Sequence, residues 1–95
     1  MNKHSVKLMN DVIEKVRKIE PGKRLEDGSI KVAVSDDDIK HILDIKVLRN
    51  NVKPSIVEDL NTAGLEVKIG VVNELEISIP KDKIETNVIK YSELN

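Results

Sequence analysis

Aromatic side chains are all but missing from this chain: it has no Trp, no Phe and a single Tyr in 95 residues. Any core must therefore be aliphatic, and 12 Ile, 12 Val and 8 Leu are there to build it. The same gap removes the ring platforms on which many proteins stack single strands or RNA loops. Cysteine is absent as well. That excludes disulfides, Cys-ligated zinc, iron–sulfur clusters and thiol nucleophiles, and it fits a reducing cytoplasm. A chain of this length is expected to form one domain and to bury well over half of its unfolded surface without staples. No apolar run approaches the roughly 20 residues of a membrane span. The opening Met1-Asn2-Lys3-His4-Ser5 leads into no signal-peptide block. The expectation is a small soluble cytoplasmic domain with no membrane partner.

A formal net charge of −1 conceals an alternation. Residues 1–24 hold seven Lys/Arg against three acids, and residues 40–57 hold four against one. Residues 25–39 and 58–79 each hold one base against five acids. A balanced total can thus hide one basic face, which is what an anionic partner needs.

Residues 5–19 read as an amphipathic helix, with Val6, Met9, Val12, Ile13, Val16 and Ile19 at three- and four-residue steps. Glu20-Pro21-Gly22 stops it. After a turn at Glu26-Asp27-Gly28, residues 29–34 alternate as a short strand of β-branched residues. Ser35-Asp36-Asp37-Asp38 reads as a helix start, with Ser35 and Asp38 placed to cap each other's amides and three carboxylates at the positive end of the dipole. Ile39, Ile42 and Leu43 continue this helix toward Lys46 and Val47, and Asn50-Asn51 ends it. Pro54 suits the first turn of a third helix, Ile56, Val57, Leu60 and Ala63 give its inner face, and Gly64 closes it. Residues 65–69 and 75–79 alternate cleanly and pair as a hairpin with its tip at 70–73. Pro80 ends the last strand. The tail keeps Ile84, Val88, Ile89, Tyr91 and Leu94, apolar enough to dock on the domain or on a second copy.

The order helix, strand, helix, helix, strand, strand resembles the winged helix-turn-helix family of DNA-binding domains. Residues 51–67, which run from Asn51 through Gly64 into Val67, look like a recognition helix passing into a wing strand. The resemblance implies an α+β fold, winged helix-turn-helix (α-β-α-α-β-β), over residues 1–80, with a docking or dimerisation tail at 81–95. It also implies a third helix in the major groove and a wing on phosphates or the minor groove. The third helix would then offer Lys53, Ser55, Glu58, Asp59, Asn61 and Thr62 on its outer side, with Lys53, Ser55, Asn61 and Thr62 as contacts. Two features depart from the family's pattern. Glu58 and Asp59 would face a phosphate backbone, and the tip Gly70-Val71-Val72-Asn73 carries no Lys or Arg.

Electrostatics instead favour the N-terminal region (Lys3, His4, Lys7, Lys15, Arg17, Lys18), the loop Lys23-Arg24, and the segment Lys46, Arg49, Asn50, Asn51 and Lys53. The last group is the foremost candidate, because it leads into the start of the third helix, where amides attract a phosphate. Arg49 has the donors for guanine, and Asn50 or Asn51 those for adenine. The plainer reading is that these cations solvate a surface and the asparagines cap helices.

Other constellations have structural explanations. Asp36, Asp37 and Asp38 could be a magnesium site, but helix-start electrostatics account for them. His4 and His41 have no acidic partner at metal spacing. Gly22-Lys23-Arg24 lacks a phosphate-cradling loop. No catalytic set, metal site or cofactor is expected, and an enzyme is not. Apolar residues in the tail and at Val71–Val72 point to a homodimer, held by the first helix, the tail or both. The expected partner is double-stranded DNA, read sequence-specifically. The role would be a small transcriptional regulator, or an accessory factor that marks a plasmid or phage site for larger DNA-processing machinery. A composition rich in Lys, Ile and Asn, with AT-rich codons, suits such a source. At the level of size, fold and source the chain is similar to winged-helix accessory proteins of clostridial conjugative plasmids, which bind the origin of transfer. A protein-binding adaptor or inhibitor from a mobile element is the alternative, and a small α+β domain that is not winged is a third.

Overall fold

The computed structural model describes residues 1–19 and 21–85. Among these the order is α1 (Lys3–Arg17), β1 (Ile30–Ser35), α2 (Asp36–Leu43), α3 (Val52–Thr62), β2 (Glu66–Ile69), β3 (Glu74–Ile79) and α4 (Lys81–Glu85), with one 3-10 turn at Pro21–Lys23. The fold is α+β, with the expected α-β-α-α-β-β order followed by a short fourth helix. The strands form one antiparallel sheet in the order β1-β3-β2. In register, Val32 faces Ile77 and Val34 faces Leu75, while Val67 and Ile69 face Ile77 and Leu75 from the other side.

Alternation puts Ile30, Val34, Leu75, Ile77, Ile79 and Val67 on one buried face of the sheet. Leu8, Val12, Ile13 and Val16 of α1, Ile39 and Leu43 of α2, and Ile56 and Leu60 of α3 close over it. Every buried side chain in this core is aliphatic apart from Ser5. Ile84 is also buried, and the guanidinium Nε of Arg17 donates to its carbonyl at 2.8 Å, so α4 is fastened to the last turn of α1. Val88, Ile89, Tyr91 and Leu94 of the tail lie outside the described residues.

The helix boundaries differ from the sequence reading in informative ways. α1 starts two residues early, because the Asn2 side chain accepts from the Ser5 amide at 2.9 Å and caps the helix. α2 carries the expected capping box between Ser35 and Asp38. It ends at Leu43, however, and not at Asn50-Asn51. Asp44 takes up a left-handed conformation (φ 55°), and the Ile45 amide folds back onto the Lys40 carbonyl at 3.0 Å. An aspartate tolerates that conformation better than most side chains, so it serves as a stop that apolar periodicity does not reveal. Lys46 and Val47 therefore sit on a loop. α3 closes as expected. Gly64 has φ 98°, its amide bonds Asn61 O at 3.1 Å, and the Leu65 amide bonds Leu60 O at 3.0 Å.

Candidate nucleic-acid interface

Lys46, Arg49, Asn50 and Asn51 all lie on the connection between α2 and α3, and all four are exposed. Asn51 precedes α3 but makes no side-chain cap bond. Its amide group is therefore not spent on the helix. Lys53 behaves differently. Its Nζ donates to Asp36 Oδ1 at 2.9 Å in a half-buried ion pair, which joins the first turn of α3 to the first turn of α2. Asp37 pairs with Lys40 at 3.3 Å and Asp38 completes the capping box. All three aspartates are thus engaged within the domain.

The opposite side of α3 meets the start of α1. Asn2 Nδ2 donates to Ser55 Oγ at 2.9 Å, and the Asn2 amide donates to Asp59 Oδ2 at 3.1 Å. The fully buried Ser5 donates its hydroxyl to the same carboxylate oxygen at 2.6 Å. The Ser5 hydroxyl, and after it the Asn2 amide, hold the Asp59 carboxyl below its ordinary value. Ser55 and Asp59 were expected on the outer side of α3, and they turn toward α1 instead. Glu58 is then the one carboxylate on the exposed face of this helix.

This contact also determines where the N-terminal cations lie. Lys3, His4 and Lys7 are exposed on the first turns of α1. Asn2 anchors that end of α1 to Ser55, which is 53 positions away in sequence. Ser55 is one helical turn, about 6 Å, beyond Asn51. The start of α1 therefore packs on α3 through Asn2 and Ser5, and Lys3 and Lys7, two residues either side of Ser5, lie on the face of α1 turned away from α3. Lys23 and Arg24 belong elsewhere. They follow the far end of α1, a helix roughly 20 Å long at 1.5 Å per residue.

At the other end of α3, Asn61 uses its whole side-chain amide on one strand residue. Oδ1 accepts from the Val67 amide at 2.8 Å and Nδ2 donates to the Val67 carbonyl at 3.2 Å. The Thr62 hydroxyl donates to the Glu58 carbonyl at 2.9 Å within the helix. Of the candidate contacts on α3, Lys53, Ser55, Asn61 and Thr62 all make bonds within the domain. Lys3 and Lys7 on α1, and Lys46, Arg49, Asn50 and Asn51 on the loop before α3, remain as the exposed candidates.

No family model matches the chain, and neither a curated protein nor a solved structure matches it. Its role must be argued from its own residues.

The hairpin tip contributes a second surface. Val71 is fully exposed, Val72 is 73% exposed, and Ile69 and Val47 are exposed as well. Asn73 has a positive φ of 34°, and its carbonyl accepts from the Asp36 amide at 3.0 Å, so the β3 side of the tip is bonded to the start of α2. Among the described residues no group of three or more His, Asp or Glu could hold a metal ion, and no helix is long and apolar enough to cross a membrane.

Sequence reasoning missed the Asn2–Ser5–Ser55–Asp59 cluster and the Asn61–Val67 bridge. The spacing of Asn2 and Ser5 is a helix-cap signature and could have been read. No local pattern announces that Asp59 or Asn61 has a partner in another element.

Proposed function

We propose that the protein binds double-stranded DNA through the first turn of α3 and the cations around it, in the manner of a winged helix-turn-helix protein. The observation that supports this reading is the run of exposed Arg49, Asn50 and Asn51 leading into α3, with the Asn51 side chain not spent on capping the helix. A cation at a helix end neutralises a phosphate beside the groove that the helix enters. Arg49 then offers a two-pronged donor to guanine, and Asn50 or Asn51 a donor and acceptor to adenine. The sheet order β1-β3-β2, with α2 and α3 before the hairpin, suits this reading. So does the inward turn of Asp59, which removes one of two acids from the outer face of α3. Lys53 supports the site by holding α3 against α2, not by touching phosphate. In this reading the protein acts at a plasmid or phage DNA site, such as an origin of transfer, or as a small transcriptional regulator.

The test is titration of duplex fragments tiled from the neighbourhood of its own gene, at several salt concentrations, beside a Lys3→Ala/Arg49→Ala variant. The expected result is one preferred fragment, a steep loss with salt, and a variant whose salt slope is shallower by about 1.8, since each phosphate contact contributes about 0.9. Equal weak binding to all fragments, or an unchanged variant, overturns the reading.

The uncharged tip favours a second reading, in which the same fold is a protein-binding adaptor or inhibitor. Val71 and Val72 have no basic residue between Gly70 and Asn73, which suits an apolar partner better than a phosphate. A Val71→Lys/Val72→Lys variant should leave DNA binding intact or improve it under the first reading, and should abolish partner capture under the second.

A further inference from the structure

The two edges of the sheet are not alike. Gly70 donates its amide to the Glu74 carbonyl, so Glu74, Glu76 and Ser78 direct their backbone groups toward β2. Leu75, Ile77 and Ile79 then direct theirs toward β1, where they bond Val34, Val32 and Ile30. By the same alternation, Lys31 and Ala33 present their N–H and C=O groups at the outer edge of β1. No described side chain bonds them, and both residues are exposed. On β2 the matching position, Val67, is filled by the Asn61 amide.

An apolar groove runs along the open edge of β1. Val16 and Ile19 of α1 and its end, Val32 and Ile42 line it, with Asp38 and His41 at the rim. Val32, Ile19 and Ile42 are each only partly buried. An edge with unmet backbone groups beside unmet apolar surface is a template for another strand.

We propose that β1 is the seam of a homodimer, in which two copies of β1 pair antiparallel about a two-fold axis at Val32 and join two sheets into one of six strands. The occupant is argued from self-complementarity. With the axis at Val32, Lys31 of one copy lies opposite Ala33 of the other, and each pair exchanges both backbone bonds. All four outward groups of each edge are then met. Registers shifted by one rung do worse. One sets Lys31 against Lys31 of the second copy, which repels. The other sets Lys31 against Ser35, whose amide already points at Asp38 Oδ2. In the favoured register the small Ala33 leaves room above it. Lys31 reaches toward Glu76 of the second copy, two strands or roughly 10 Å away, where it joins the pair that Glu76 already makes with Lys68 at 3.4 Å. On the buried side the half-exposed Val32 meets its symmetry mate between the two grooves. This seam differs from the sequence expectation of α1 or the tail, and it rests on the sheet alone, not on the DNA reading.

The experiment is sedimentation equilibrium of the full chain and of Ala33→Pro. The Ala33 amide points away from β3, so proline there leaves the internal ladder intact while removing two of the intersubunit bonds. Association should weaken roughly thirtyfold, with circular dichroism and melting unchanged. Ile69→Lys at the hairpin should leave the dimer as it is. If Ala33→Pro does not fold, Lys31→Glu and Lys31→Glu/Glu76→Lys decide instead: the first should weaken the dimer and the second restore it. A wild-type monomer at the highest soluble concentration, a dimer untouched by Ala33→Pro, or one indifferent to the charge exchange overturns the proposal. So does a monomer whose Lys31 and Ala33 amides are protected from hydrogen exchange, because the edge is then covered within one chain.

Discussion

The edge of β2 and the edge of β1 face the same problem and meet it differently. β2 has four residues, and the amide of Asn61 on α3 satisfies both outward groups of Val67 as a neighbouring strand would. β1 has six residues, with Lys31 and Ala33 left open. One asparagine on a packed helix fills the middle of a short edge and leaves only Ile69 at its hairpin end facing out among the described residues. No described helix residue bonds the longer one, and α1 and α2 leave a groove beside it.

The strand between the two edges is where the largest effect is expected. Ile77 faces both Val32 and Val67 and is almost fully buried. Ile77→Ala should cost about 2–5 kcal/mol in denaturant unfolding, and if the cost is under 1 kcal/mol the two edges do not share one core. Asn61→Ala sharpens the comparison directly. It strips the partner from Val67, should cost about 1–3 kcal/mol, and should make the Val67 amide exchange faster with solvent. If the Val67 amide stays protected, the asparagine is not what closes that edge. Ser5→Ala should cost about 1–2 kcal/mol at neutral pH, since its hydroxyl bonds an ionised carboxylate.

That last effect has a pH signature. The folded Asp59 carboxyl lies below its ordinary 3.8, so the ionised form is the favoured one in the folded state. Its contribution is complete above that ordinary value and fades as the pH falls through the lowered folded value. Wild type and Ser5→Ala should therefore differ in stability at neutral pH and converge in strong acid. A constant gap across the titration would mean that Ser5 acts through packing alone. The smallest effect is expected at the tip. Val71 is fully exposed, so Val71→Lys should change stability by no more than about 0.5 kcal/mol.

The elements were legible where a local rule governs them. Ser35 and Asp38 announced α2, Gly64 announced the end of α3, and the alternation at Leu75, Ile77 and Ile79 announced β3. The end of α2 was not legible, because Asp44 stops the helix by a backbone conformation that glycine usually supplies. The candidate site was legible only in its loop. Lys46, Arg49, Asn50 and Asn51 are exposed, as a basic cluster in sequence suggests. Lys53 and Asp36 are 17 positions apart and Asn2 and Ser55 53 apart. Charge counts could not show that the first pair cancels, nor that the second packs the start of α1 on α3.

The joint between α3 and β2 has a consequence for recognition. Gly64 turns the chain in a single residue, with both of its neighbours' amides bonded back into the helix, and Asn61 locks the helix onto the strand just beyond. No slack separates the first turn of α3 from the far end of the hairpin. The spacing between those two surfaces is a ruler cut into the protein before any partner arrives. A partner that matches it meets a surface with little ordering entropy left to lose, and one that does not match it cannot be accommodated by a bend at the joint.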